Sequence, residues 1–153
     1  MDSTIHDLHM SNTDAINSLL RGEMSAVETY TQAMSKFDDE TAIADLQKIR
    51  DEHSRAVRLL RDHVVGFGAH PVEGSEPWGA FSAAVTGGAK AVGPAAALAA
   101  LRQGEEHGIN EYVSALENEG IHPDCQRMIR ADLLPACRKH VEELNRLLGG
   151  MNS

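Results

Sequence analysis

Residues 20–30 read LRGEMSAVETY, and residues 101–112 read LRQGEEHGINEY. At one constant spacing along the chain, Gly22 answers Gly104, Glu23 answers Glu105, Val27 answers Ile109 and Tyr30 answers Tyr112. Around the first copy, Ile16, Leu20, Glu23, Val27, Tyr30 and Met34 recur in the alternating steps of four and three that keep one face of a helix against a bundle. Leu98, Leu101, Glu105, Ile109, Tyr112 and Leu116 do the same around the second. Each seam carries a carboxylate where the pattern reserves an apolar side chain. The repeat predicts a duplicated helical hairpin with polar groups in its core.

Two further seams complete the hairpins. Ala42, Leu46, Ile49, His53, Val57, Leu60 and Val64 define a second helix, opened by Asp38, Asp39 or Glu40 and stopped by the glycines and proline of residues 66–71. Ile129, Leu133, Ala136, His140, Leu144 and Leu147 define a fourth, opened at Pro123-Asp124 and ended by Gly149-Gly150. Pro135 lies inside this helix and should kink it, freeing the carbonyl of Ala131. The first helix is expected from about residue 13, capped by Ser11, Asn12 or Thr13, behind a polar, frayed stretch over residues 1–12. The third runs from about Pro94 to Asn118, with Gly120 as its C-cap.

Short links within each hairpin make the paired helices antiparallel, whereas residues 72–93 form the one long connection. There Ser75-Glu76-Pro77 reads as a helix start, and Trp78, Phe81 and Val85 give a short apolar stripe. The expected architecture is therefore all-α: one antiparallel four-helix bundle over residues 13–150, with a short crossover helix between helices 2 and 3.

Composition narrows the function classes. The chain of 153 residues is long enough to bury a core, and its hydrophobic content of 42% with only 4% aromatics suits helices. A net charge of −9 argues against nucleic acid and anionic membrane as partners. No apolar run approaches the ~18 residues of a membrane span, and the N-terminal stretch lacks the basic and apolar regions of a signal peptide. Cys125 and Cys137, if carried by one helix, stand roughly 18 Å apart, beyond disulfide reach. A reducing cytoplasm is the expected location.

Chemistry is concentrated in the four seam residues that break the apolar pattern: Glu23, His53, Glu105 and His140. Buried carboxylates are costly unless paired, protonated or bound to a cation. Two Glu and two His converging at mid-bundle supply oxygen and imidazole donors suited to Fe, Zn or Mn. The same residues could instead hydrogen-bond across the core, with Tyr30 and Tyr112 as natural partners. Glu52, Glu106 and His107 flank the seams as spares that a small helix rotation could recruit, and read first as solvent-facing. His6, His9, His63, His70 and His122 share no repeating spacing and read as surface or loop residues. Nothing pairs a nucleophile with a base, so acyl or phosphoryl transfer has no support.

Taken from residue 13 to residue 149, the pattern resembles the ferritin-like superfamily, in particular its rubrerythrin and bacterioferritin branches. The segment GEMSAVETY is similar to that family's first-helix motif, a ligand Glu followed seven residues later by Tyr, here Glu23 and Tyr30. The resemblance implies a bundle-core metal site, metal or oxidative-stress handling, and a possible homodimer. It also exposes a departure. Those families carry Glu-x-x-His on helices 2 and 4, and the positions three before His53 and His140 hold Arg50 and Cys137. A standard di-iron site therefore lacks two carboxylates; a single ion is easier to reconcile. Cys137 could ligate as a thiolate or simply fill core space. Two readings stand: a metal protein using Glu23, His53, Glu105 and His140, or a non-catalytic helical stress or interaction protein that has lost its ancestral site.

Overall fold

The computed structural model describes residues 2–76, 78 and 93–151, with side chains from residue 12 onward. Its helices are α1 (Asp2–Ala33), α2 (Glu40–Gly66), α3 (Pro94–Glu117), α4 (Pro123–Met128) and α5 (Leu134–Met151). A five-residue π-helical turn, Ile129–Leu133, joins α4 to α5, so these two make the fourth long rod of the bundle. Strands are absent among the described residues, as the sequence pattern requires. None of the described helices is long and apolar enough to cross a membrane. Apart from Ser75, Glu76 and Trp78, the expected crossover helix lies outside the described residues.

Helix ends follow local chemistry. Asp39 caps α2, its two carboxylate oxygens accepting from the Thr41 and Ala42 amides at 3.3 Å each. Gly68, at φ 78°, closes α2 in the left-handed conformation. The Ala69 amide then donates to Val64 O and the Gly68 amide to Val65 O, the paired bonds of a Schellman end. Three boundaries differ from expectation. Residues 2–12 contain neither Gly nor Pro, and α1 continues back to Asp2 instead of starting near residue 13. Asn12, read as a cap, accepts from the His122 amide at 2.7 Å and ties α1 to the turn before α4. Asn118, not Gly120, caps α3, and α5 runs through both terminal glycines to Met151. Glycine weakens a helix by about 1 kcal/mol without forbidding it.

Pro135 interrupts the regular helix. Its ring has no N–H to offer, and the π turn lies immediately before it, with the Leu134 amide donating five residues back to Ile129 O. On α5 Cys137 is buried in place of the expected Ala136, three residues before His140 and seven before Leu144, as one face of a regular helix requires.

The apolar seams bury as two layers. One comprises Ile16, Leu20, Leu60, Val64, Ile121, Cys125, Ile129 and Leu133 with their neighbours. The other gathers Tyr30, Phe37, Leu46, Ile49, Leu98, Leu101 and Leu144. On every long rod, the polar seam residue falls between the stretches feeding the two layers. Sealing it there gives the site a dry floor and a dry ceiling.

Candidate metal centre

Glu23, His53, Glu105 and His140 come from α1, α2, α3 and α5 and are 6%, 3%, 1% and 3% exposed. His53 stands at the middle. Its Nδ1 donates to Glu23 Oε2 at 2.6 Å, and its Nε2 faces Glu105 Oε1 and Oε2 at 3.0 and 2.8 Å. Only the imidazolium form donates from both nitrogens. Burial by itself depresses the His53 pKa, but Glu105 and then Glu23 outweigh it and leave it well above the ordinary histidine value. Glu105 answers in the opposite direction. Burial would raise its carboxyl, yet His53 and His140 hold it down at about 2.

His140 extends the network toward the surface. Its Nδ1 lies 3.0 Å from Glu105 Oε1 and its Nε2 2.9 Å from Glu52 Oε2. The tyrosines of the opening repeat cross over. Tyr112 OH donates to Glu23 Oε1 at 2.6 Å, and Tyr30 OH to Glu105 Oε2 at 3.3 Å. Each tyrosine thus serves the carboxylate of the other copy. Burial first, and then the facing carboxylate, pushes both phenols well above their usual pKa, so both remain donors.

All four residues singled out from sequence are therefore brought into one hydrogen-bonded cluster, but not equivalently. Ligating atoms of His53, Glu105 and His140 all lie within 4.8 Å of one another. Glu23 sits on the opposite nitrogen of His53, behind the ring rather than beside that trio. Glu52 occupies the corresponding place behind His140. Each histidine therefore presents one nitrogen to Glu105 and has its other nitrogen backed by a carboxylate. That is the carboxylate–histidine support that fixes ring orientation at metal sites. Two imidazoles and one carboxylate are a donor set that suits a divalent Zn, Fe or Mn ion. The residues fit such an ion.

Trp78 was not legible as a site component, and Glu52 only as a spare beside the seam. Glu52 reads as solvent-facing and is indeed half-exposed, yet it reaches His140. Trp78 reads as part of a crossover stripe, but it packs across the cluster, its ring 6.1 Å from that of His53 and 5.8 Å from that of Tyr30. Its amide donates to Thr29 Oγ1 at 2.7 Å. Beneath it is a cavity of about 30 Å³, bordered by Gly22, Gly104, Gly108 and Cys137. Burial, then Glu105 and Glu23, drive the Cys137 thiol pKa far up, which favours the space-filling thiol over a thiolate ligand. Arg50 pairs with its neighbour Asp51 at 3.7 Å. Glu106 and His107 face solvent, as expected.

A bundle of this topology is a ferritin-like fold. Over 92% of this chain and 97% of the other, it matches the structure of a ferritin-like, diiron-carboxylate protein from Bacillus anthracis, with a TM-score of 0.72 at 18% identity. The chain belongs to the family described as domain of unknown function DUF2383, whose model matches residues 11–118. That span contains Glu23, His53 and Glu105 but not His140. A 67-residue stretch is 33% identical to the uncharacterized protein YusN of Bacillus subtilis, covering 44% of this chain and 61% of that protein's length.

Proposed function

We propose that this chain is a metal-binding ferritin-like protein that holds a single divalent ion of the Fe, Zn or Mn kind. The ion would be held by His53 Nε2, Glu105 and His140 Nδ1, with Glu23 as the fourth member of the site, orienting His53. One observation carries the reading: three buried donors within 4.8 Å of one another, with a carboxylate behind each imidazole. When bound, such an ion supplies Lewis acidity and, for Fe or Mn, access to a second oxidation state. The chain's own part is to exclude water with its two apolar layers and to present the imidazoles in one orientation. The raised His53 must give up the proton on its ligating nitrogen, so uptake will compete with protons.

Metal analysis of protein purified without chelator or metal-binding tag tests this directly, together with melting curves in Zn²⁺, Mn²⁺ and anaerobic Fe²⁺. An ion at a hundredfold its Kd stabilises the native state by about 2.7 kcal/mol. Absence of both bound metal and metal-dependent stabilisation would overturn the proposal.

A second reading draws on a different observation. Among the described residues, every buried side-chain nitrogen and oxygen already has a hydrogen-bond partner within the protein. A cluster so satisfied can serve as a purely structural polar core in a helical interaction protein. The double variant Glu23→Gln, Glu105→Gln separates the two. It abolishes metal uptake under the first reading, and under the second leaves function intact while altering the pH dependence of stability.

A further inference from the structure

Access distinguishes one member of the cluster from the rest. Glu23, His53, Glu105 and His140 are buried, whereas the Glu52 side chain is 49% exposed. It lies on the wall of a groove of about 400 Å³ between α2 and α5, lined also by Asp45, Lys48, Glu143 and Arg146, with His140 in its lining. Arg146 is already committed, pairing with both Asp45 and Glu143. Glu52 instead points its carboxylate inward to His140 Nε2. On the other flank, Trp78 covers the cluster, and the space beneath it is only about 30 Å³, roughly one water molecule. A hydrated cation is several waters across and cannot use that side without moving the indole.

We propose, building on the metal-site reading above, that the α2–α5 groove is the entry route for a hydrated divalent cation and that Glu52 is the residue that admits it. At the mouth, the carboxylate attracts the ion and replaces part of its water shell. Because the same carboxylate backs His140 Nε2, an ion that it captures arrives beside the imidazole whose other nitrogen already faces Glu105. Glu52 is thus a positioning and capture residue, and its substitution should show chiefly in the rate of entry.

Co²⁺ binding by the full chain provides the test, with equilibrium dialysis for affinity and stopped flow for rates. The flow signals are quenching of the single tryptophan, Trp78, and the visible absorption of the bound ion. Glu52→Gln should slow association at least about tenfold and flatten its dependence on ionic strength, with Glu52→Asp restoring most of the rate. Because Glu52 is exposed, both variants should fold as the parent does, which a melting curve checks. Unchanged association with faster dissociation would overturn the entry role and leave Glu52 as a brace for His140. If the parent chain itself takes up no Co²⁺, Zn²⁺, Mn²⁺ or anaerobic Fe²⁺, the metal-site reading fails, and the entry role fails with it.

Discussion

Tyr112 and Tyr30 occupy matching places in the repeat, yet they matter unequally to the carboxylates they serve. Glu23 Oε1 receives the Tyr112 hydroxyl at 2.6 Å, while its other oxygen is taken by His53. Glu105 Oε2 receives Tyr30 only at 3.3 Å and retains the His53 contact if the hydroxyl is removed. Tyr112→Phe should therefore cost about 1–3 kcal/mol in urea denaturation, and Tyr30→Phe less than about 1 kcal/mol; equal losses would contradict the asymmetry. Titration gives a second expectation for chelator-treated protein. The depressed Glu105 carboxyl contributes stability that is complete above the ordinary carboxylate range and is lost as pH falls toward about 2. The raised His53 contributes stability that is complete below about pH 6.5 and is lost as pH climbs through its folded value. Stability should therefore plateau on the mildly acidic side of neutral and decline toward alkaline pH, and His53→Gln should flatten the alkaline limb. A limb unchanged by that substitution would assign the decline to other groups.

At the level of elements, much could be read from sequence because helix periodicity is local. The acids and histidines of all four seams were visible as interruptions of a period, and the structure gathers all of them. Three things were visible only in part or not at all, for one physical reason each. Periodicity assumes a constant turn and cannot show the π turn before Pro135; it also leaves the choice between the neighbours Ala136 and Cys137 open, and the structure buries Cys137. Glu52 stands next to His53 on the outer face, and only the length of its side chain and the nearness of α5 bring it to His140. The packing of Trp78 against α3 was equally hidden. A Cβ at Gly104 would come within 2.1 Å of its indole, so the glycine of the repeat is what lets the ring lie across the cluster. Gly104→Ala should displace Trp78, red-shift and lower its emission, and lower the melting temperature, although alanine is the better helix former by about 1 kcal/mol. An unshifted emission spectrum would mean that the ring finds another way to stay seated.

Across the whole molecule, the polar cluster is a seam between two apolar layers that could, on size alone, have been one continuous core. Buried ion pairs seldom improve on well-packed apolar residues: replacing the complete set is often neutral or stabilising by about 1–4 kcal/mol, whereas removing one partner costs about 3–5 kcal/mol. This contrast can be used to ask what the cluster is for. Glu105→Ala alone should be strongly destabilising, since it leaves His53 Nε2 and the Tyr30 hydroxyl without their acceptor and removes a partner of His140. The concerted replacement Glu23→Met, His53→Leu, Glu105→Met, His140→Leu, Tyr30→Phe and Tyr112→Phe removes every buried member together and continues the apolar seams from one layer to the other. If the cluster is retained for ligand chemistry, the concerted variant should unfold at equal or higher urea concentration than the parent while losing all metal-dependent stabilisation. If it is retained as a structural device that fixes helix register, the same variant should lose its cooperative transition and its dispersed side-chain spectrum. Urea melts with and without Zn²⁺, read beside proton NMR, separate those outcomes.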